Sequence, residues 1–198
     1  MYALGIDTSH LFLLVVLMDD NGVIDHVQLD CFKQQSEYII GEMDELLKRN
    51  ALTIEQIGEI VITRGPGSYT GVRIAMTVAK ILGSITGKQV HTLSTLQLYG
   101  GKADCYVLMD ARARRVYVGR YRDGKALQQD QIFFNEEMQG IVDDPQNLCY
   151  GDLHLFGKED RYDHLADNFF ALKEDWRKVE DIDRLAPEYL KSRKEYLK

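Results

Sequence analysis

The sequence predicts an α/β protein of two lobes, because one order of strands and helix occurs twice along its 198 residues. In the first half, apolar runs at 2–7, 11–18 and 23–32 are typical of strands, and a helical pattern follows at 36–50. In the second half, similar runs occupy 105–109, 116–121 and 126–134. The spacing also repeats: Asp7 and Gly22 are 15 residues apart, and Asp110 and Gly124 are 14 residues apart. We expect one lobe at 1–101, a shorter second lobe at 102–198 whose last helix is free to pack back on the first, and a cleft between them.

Each element of the first lobe has its own signal. The strand at 2–7 ends in Asp7-Thr8-Ser9, and the turn at 19–22 is typical of a β-hairpin. The helix at 36–50 carries apolar residues at steps of three and four, which gives it one apolar stripe. A strand at 59–63 then leads through a glycine-rich loop to a helix of small and β-branched residues at 72–85.

The glycine-rich loop supports two interpretations. It reads Arg-Gly-Pro-Gly-Ser-Tyr-Thr-Gly-Val-Arg over residues 64–73, between a strand and a helix. Such a loop exposes backbone N–H groups at a helix N-terminus, where an anion is favoured, or it lets another backbone pack closely. The loop lacks the Lys-Ser/Thr ending of a Walker loop and the spacing of the dinucleotide fingerprint. Both an anion site and a purely structural turn therefore remain open.

Composition limits the functions that are open to the chain. The net charge of −7 and the pI near 5.2 disfavour independent binding to RNA, which depends mainly on Lys and Arg. No charged segment precedes the first apolar run, and no apolar run approaches the roughly 20 residues that a membrane helix needs. The three cysteines have no C-x-x-C spacing, as is typical of a reducing compartment. We expect a cytoplasmic protein with no membrane contact.

Four motifs, in order along nearly the whole chain, resemble one known family. They are the strand ending in Asp7-Thr8-Ser9, the glycine loop at 64–73, Asp110-Ala111-Arg112 with Val116-Tyr117, and residues 186–190, Ala-Pro-Glu-Tyr-Leu. Together they resemble the TsaB (YeaZ) family of bacterial tRNA threonylcarbamoyladenosine modification. The resemblance implies the two-lobed fold of actin, Hsp70 and sugar kinases (the ASKHA fold), built from duplicated βββαβα units.

The resemblance also implies a function. Members of this family are catalytically silent partners of the paralogous TsaD transferase, with the TsaE ATPase as a third component, and they also form homodimers. Contact with tRNA would then occur only through the complex. The alternative is an enzyme, a weak nucleotide hydrolase or a peptidase-like protein that uses the cleft between the lobes.

Candidate ligand residues follow from the same resemblance. Kinases and ATPases of this architecture place phosphates near positions that correspond here to Asp7, Thr8, Ser9, Asp110 and Gly151. Arginines at 112, 114 and 115 replace the small residues of the second phosphate loop, so a nucleotide site would be degenerate. The metal-binding histidine pair of TsaD has no counterpart at 34–40, where Gln35 stands near the expected position. We therefore predict no metal and no cofactor.

The resemblance also implies a partner interface on the helices at 36–50 and 72–85, because in this family the equivalent pair docks on the same pair of TsaD or of a second copy. The predicted contact residues, chosen for a close helix approach, are Ile40, Met43, Leu47, Val72, Ala75, Met76, Ala79 and Gly83. The second helix is also apolar on its other side, at Ile74, Val78, Ile81, Leu82 and Ile85, so we expect it to be buried on more than one side. The basic C-terminal stretch contains Lys191, Arg193, Lys194 and Lys198; a solvated helix end explains it more simply than a tRNA contact.

Overall fold

Two β-sheets carry the chain, one in each half of the sequence. The structure, a computed structural model, describes residues 1–191. The basic residues Arg193, Lys194 and Lys198 lie outside this range. In the described part, no helix combines the length and the apolar character needed to cross a membrane.

The first sheet contains six strands: β1 (Tyr2–Asp7), β2 (Phe12–Met18), β3 (Val23–Asp30), β4 (Ile57–Thr63), β5 (Gln89–Leu93) and β11 (Arg177–Lys178). Across the sheet they lie in the order β11-β5-β4-β1-β2-β3. Strands β1 to β3 form an antiparallel meander, and β4 and β5 run parallel to β1. Helices α1 (Gln35–Arg49) and α2 (Tyr69–Thr86) connect β3 to β4 and β4 to β5.

The second sheet repeats this order. Its strands are β6 (Cys105–Asp110), β7 (Arg115–Arg122), β8 (Lys125–Ala126), β9 (Gln131–Phe134) and β10 (Cys149–Gly151). Strand β7 lies between β6 and the pair β8 and β9, and β10 runs parallel to β6 on its other side. In the first sheet β1 lies between β2 and β4, and in the second sheet β6 lies between β7 and β10. With β8 and β9 taken together as one broken third strand, this is the duplicated arrangement that the sequence predicts. Helix α3 (Thr95–Gly100) joins the sheets, and α4 (Asn135–Asp143) and α5 (Leu165–Ala171) belong to the second half.

One strand differs from the prediction. The strand predicted at 126–134 is wrong as a single strand, because residues 127–130 leave the ladder between β8 and β9. There the Asp130 carboxylate turns inward and accepts hydrogen bonds from Tyr121 and Ser94, both at 2.5 Å. After α5 the described chain returns to the first sheet as a short strand, β11, which pairs with β5 at Arg177 and Thr92. The last helix, predicted at the C-terminal end, lies outside the described residues.

The core has three parts. One lies between the first sheet and α1 and α2, with Leu46, Ile62 and Ala79 at its centre. A second joins the halves of the chain, because Val16 of β2 and Tyr117 of β7 belong to the same buried cluster. The third lies under α4 on the outer side of the second sheet. The middle cluster fixes the position of one sheet relative to the other, and so of the cleft between them.

Candidate functional site: the cleft between the lobes

A cleft of about 760 Å³ lies where the turns after β1 and β6 face each other. The β1–β2 turn supplies His10 and Leu11, and the β6–β7 turn supplies residues 110–112. The glycine loop closes one side with residues 67–71. Parallel strand ends are a common place for ligands in α/β proteins, so this cleft is the main candidate site.

The carboxylate of Asp7 is fully buried and faces the protein interior. Its Oδ1 accepts hydrogen bonds from Ser9 N (3.0 Å), Ser9 Oγ (2.5 Å) and Thr63 Oγ1 (2.5 Å). Its Oδ2 accepts a hydrogen bond from the Tyr99 hydroxyl at 3.2 Å. Burial, reinforced by the Asp7 charge, raises the pKa of Tyr99, so this phenol stays protonated and donates. Four donors thus occupy the Asp7 carboxylate inside the fold.

Thr8 and Ser9 are buried as well, and both hold the glycine loop. The Thr8 hydroxyl donates to Gly71 O (2.7 Å) and accepts from Ala75 N (3.1 Å). Ser68 N donates to Ser9 O at 2.7 Å. A Cβ atom on Gly67 would lie 2.5 Å from Ser9 O, and one on Gly71 would overlap Thr8 O. The glycines at 67 and 71 therefore permit the close backbone packing that the second interpretation of this loop requires.

A C-terminal segment covers the outer side of the glycine loop. Glu188 N donates to Arg64 O (2.7 Å), and the Glu188 carboxylate lies 2.9 Å from the Arg64 guanidinium. Gly65 has φ of +107°, and a Cβ there would lie 2.5 Å from Glu188 O. Tyr189 stacks on Tyr69 with ring centroids 5.2 Å apart, and Arg73 donates to the Tyr189 hydroxyl at 2.8 Å. Arg64, Tyr69 and Arg73 therefore bind this segment. Pro66 is buried, and the exposed Thr70 lines the cleft.

The turn after β6 replaces a phosphate loop with arginines in an uncommon backbone conformation. Arg112, Ala113 and Arg114 have φ of 62°, 55° and 58°, a region that side chains other than glycine rarely adopt. Asp110 holds the turn by accepting from Arg112 N at 2.7 Å, and the two side chains form an ion pair at 3.2 Å. The Arg112 guanidinium lies 5.7 Å from the ring centroid of Phe32 across the cleft. Asp110 and Arg112 thus both line the cleft.

A buried polar group between the lobes was not predicted from the sequence. His10 Nε2 lies 2.8 Å from Asp152 Oδ1, the Tyr162 hydroxyl donates to the same oxygen, and Asp110 N donates to Asp152 Oδ2 at 2.5 Å. Burial alone would raise the pKa of Asp152, but the hydrogen bonds from His10 and Tyr162 and the charge of His10 hold it below its ordinary value. Burial, with the Asp152 charge, raises the pKa of Tyr162. The short Asp7-Thr8-Ser9 motif identifies this strand end, but no spacing in the sequence connects His10 with residues about 150 positions away.

Gly151 is buried at the base of a loop beside the cleft. Its N–H donates to Arg161 O at 2.7 Å, and it accepts from Arg161 N at 3.0 Å. A Cβ on Gly151 would overlap Leu108 O, so the backbone of β10 approaches that of β6 closely here. Gly151 lies beside the cleft and does not line it.

The structure places most of the predicted interface residues inside the first lobe. Six of the eight are buried in the core of the first lobe: Met43, Leu47, Val72, Ala75, Met76 and Ala79. Gly83 faces Val90 and Ile182 of the chain itself. The small residues on α2 allow a close approach to its own sheet. The exposed apolar side chains on these helices are others: Ile40 is 57% exposed, Ile81 52% and Ile85 78%.

The fold and the cleft define a two-lobed α/β protein with a ligand-sized cavity between its lobes. Known proteins resemble it in sequence and in fold. The sequence model of the TsaD family, described as tRNA N6-adenosine threonylcarbamoyltransferase, matches residues 30–139. The tRNA threonylcarbamoyladenosine biosynthesis protein TsaB of Bacillus subtilis is 32% identical over 81% of this chain and 68% of its own length. The TsaB of Escherichia coli is 27% identical over 72% of this chain and 62% of its own length.

Solved structures agree on the fold. YeaZ from Pseudomonas aeruginosa superposes with a TM-score of 0.72 over 96% of this chain and 99% of its own, at 18% identity. The two-lobed α/β fold class that the sequence predicts is confirmed. The chain belongs to the TsaB (YeaZ) family of tRNA threonylcarbamoyladenosine biosynthesis proteins.

Proposed function

We propose that this chain is a non-catalytic activating subunit in tRNA threonylcarbamoyladenosine biosynthesis, and that it docks on a TsaD transferase through the outer faces of α1 and α2. Docking would favour the active conformation of the transferase, because a partner that binds one conformation better shifts the equilibrium toward it. TsaE would join this complex, tRNA would be bound by the complex and not by this chain alone, and the setting would be the cytoplasm.

The observation that carries the proposal is the exposure of three large isoleucines on two neighbouring helices. Ile81 and Ile85 are one turn apart on α2, and Ile40 lies on α1. Both helices cover the same face of the first sheet, so their outer faces form one side of the molecule. Exposed apolar side chains that share one side of a molecule are typical of a protein interface.

The hydrogen bonds of the residues around the cleft support the absence of catalysis by this chain. The side chains of Asp7, Thr8 and Ser9 are buried and bonded within the fold, so they cannot orient a phosphate without rearrangement. Gln35, near the position where TsaD has its histidine pair, is buried and donates to His10 O at 2.9 Å. The Gln35 amide is therefore part of the hydrogen bonding of the fold, and an amide is a poor metal ligand.

The alternative is an enzyme that uses the cleft, either a weak nucleotide hydrolase or a peptidase-like protein. It is favoured by one observation: His10, which is bonded to Asp152, lines a cleft that Arg112 also lines. A histidine oriented by a carboxylate is a common general base. Activity of the purified chain alone, abolished by His10→Ala, would support this alternative.

The test is reconstitution with the TsaD and TsaE of the same organism. The double variant Ile81→Glu/Ile85→Glu should weaken binding to TsaD by about 3 kcal/mol, roughly a hundredfold, and reduce threonylcarbamoyl transfer accordingly. Leu127→Glu is the matched control, because Leu127 is equally exposed (51%) but lies in the second lobe. Full binding by the double variant would rule out this surface.

A second variant in the same reconstitution tests whether the cleft takes part in catalysis. Asp110→Asn/Arg112→Ala alters the cleft and leaves both helices unchanged, so transfer should depend on this chain and survive the change. Loss of transfer in a variant that still binds TsaD would make the cleft a working site. Analytical ultracentrifugation of the same variants would measure self-association, because a homodimer through α1 and α2 should weaken together with TsaD binding.

A further inference from the structure

A closed loop at the end of β10 places three potential metal ligands close together. The loop spans residues 151–161, and a pair of backbone hydrogen bonds between Gly151 and Arg161 closes its base. Asp152 follows one side of the base, Asp160 precedes the other, and His154 lies between them on a short turn at Leu153–Phe156. The sequence pattern is D-x-H-x5-D. It is separate from the helical histidine pair of TsaD, whose counterpart here would lie at 34–40.

The distances between the side chains suit one ion. A ligand atom from each of Asp152, His154 and Asp160 lies within 4.8 Å of the other two. His154 Nδ1 is 2.8 and 2.9 Å from the two Asp160 carboxylate oxygens. Ligands bound to Zn²⁺ at about 2.1 Å in a tetrahedron are about 3.4 Å apart, so modest side-chain rotations bring all three atoms to one ion.

Hydrogen bonds from other residues orient the Asp152 carboxylate, the buried member of the three. The Asp152 side chain is almost fully buried, and its carboxylate is fixed by His10, the Tyr162 hydroxyl and Asp110 N. Ligating carboxylates are commonly held by such outer hydrogen bonds, which set the direction of the free lone pairs. Asp152 therefore has the supporting groups that a metal ligand needs, although it is the least accessible of the three.

We propose that Asp152, His154 and Asp160 form a binding site for one divalent transition-metal ion, with Zn²⁺ as the probe. The imidazole favours a transition metal over Mg²⁺ and Ca²⁺, which prefer oxygen ligands. Three protein ligands leave a fourth position, and Asp152 and His154 both line the cleft. The fourth position therefore faces the cleft.

A simple ion pair between His154 and Asp160 is the competing explanation, since His154 N also donates to Asp160 Oδ1 at 2.8 Å. The chain offers a matched control for it. His164 and Asp167 form another exposed His–Asp pair at 3.7 Å, and neither belongs to a group of three ligands among the described residues. If Asp152, His154 and Asp160 bind a metal ion, loss of His154 weakens metal binding and loss of His164 does not; if both are simple ion pairs, neither loss changes it.

The experiment is calorimetric titration of Zn²⁺ into the full chain after treatment with EDTA. We expect one ion per chain, no displacement by excess Mg²⁺, and affinity at least about 100-fold weaker in His154→Ala and Asp160→Asn. His164→Ala should bind as the wild type does. Tyr162→Phe removes the contacts of that hydroxyl with Asp152 and His10 but no ligand atom, and should weaken binding about tenfold.

Thermal unfolding distinguishes loss of metal binding from poor folding of a variant. Zn²⁺ should raise the thermal midpoint of the wild type and of His164→Ala but not that of His154→Ala, whose circular dichroism should be unchanged. The proposal is overturned if the wild type shows no saturable binding, or if His154→Ala binds Zn²⁺ as tightly as the wild type. Both results are independent of TsaD, so failure here leaves the proposed function unaffected.

Discussion

The fold opposes ionisation of the Asp130 carboxyl group. Burial raises its pKa above the ordinary value, the nearby Glu188 charge adds to this, and the hydrogen bonds from Ser94 and Tyr121 and the charge of Arg177 only partly compensate. An acid whose pKa is raised by folding binds more protons in the folded state. Its contribution to stability is therefore present below the ordinary pKa of about 3.9 and is lost as pH rises through the folded-state pKa.

The prediction is a pH-dependent difference between the wild type and Asp130→Asn. As pH rises from about 4 to 7, the free energy of unfolding of the wild type should fall relative to that of the variant, because the amide has no proton to lose. Urea unfolding at several pH values measures this difference. Asp181→Asn, on an exposed segment, serves as control and should follow the wild type. A constant difference between wild type and Asp130→Asn would contradict the assignment.

Single residues also mark the limit of inference from the sequence. The motif at 7–9 locates a strand end and contains one partner of Asp7, Ser9. The other two partners, Thr63 and Tyr99, are 56 and 92 positions away. Nothing in their spacing indicates that these donors converge on the carboxylate. The sequence therefore identifies the turn that contains Asp7, and only the packed structure shows that its side chain faces inward.

At the scale of elements, two helical glycines have opposite roles. Gly71, in the first turn of α2, packs against Thr8 O so closely that an added Cβ would overlap it, whereas a Cβ on Gly140 of α4 meets nothing within 4 Å. Gly71→Ala should therefore destabilise the chain by about 2 kcal/mol through overpacking. Gly140→Ala should stabilise it by about 0.5–1 kcal/mol, because alanine is the better helix former. Thermal unfolding of both variants tests this; equal effects would mean that the glycine loop tolerates a side chain.

Helices and strands were predictable because their periodicity is local. The pattern at 72–85 indicates a helix that is apolar nearly all round, and α2 spans Tyr69–Thr86. The pattern does not say which side meets the sheet. The small residues Ala75 and Ala79 fit the sheet side, since their size allows a close approach, and they leave Ile81 and Ile85 outside. Assigning helix faces requires knowledge of the neighbouring sheet, which the sequence of one helix does not contain.

At the scale of the whole molecule, the two sheets should unfold together. Phe169 of α5 is fully buried and lies against Gly5 of β1, where an added Cβ would be 2.8 Å from its ring. It also belongs to the cluster that contains Val16 of the first sheet and Tyr117 of the second. A core shared in this way makes the stability of each half depend on the other.

The prediction is that Phe169→Ala destabilises both sheets equally, by about 4 kcal/mol, because the cavity lies between them. Hydrogen exchange of amides in β1 and β4, and in β6 and β7, should show the same loss of protection, and Trp176 fluorescence should give the same urea midpoint as circular dichroism. Phe169→Leu fills most of the space and should cost about 1 kcal/mol. If the amides of one sheet lose protection while those of the other keep it, the lobes are independent folding units, and the middle cluster does not couple them.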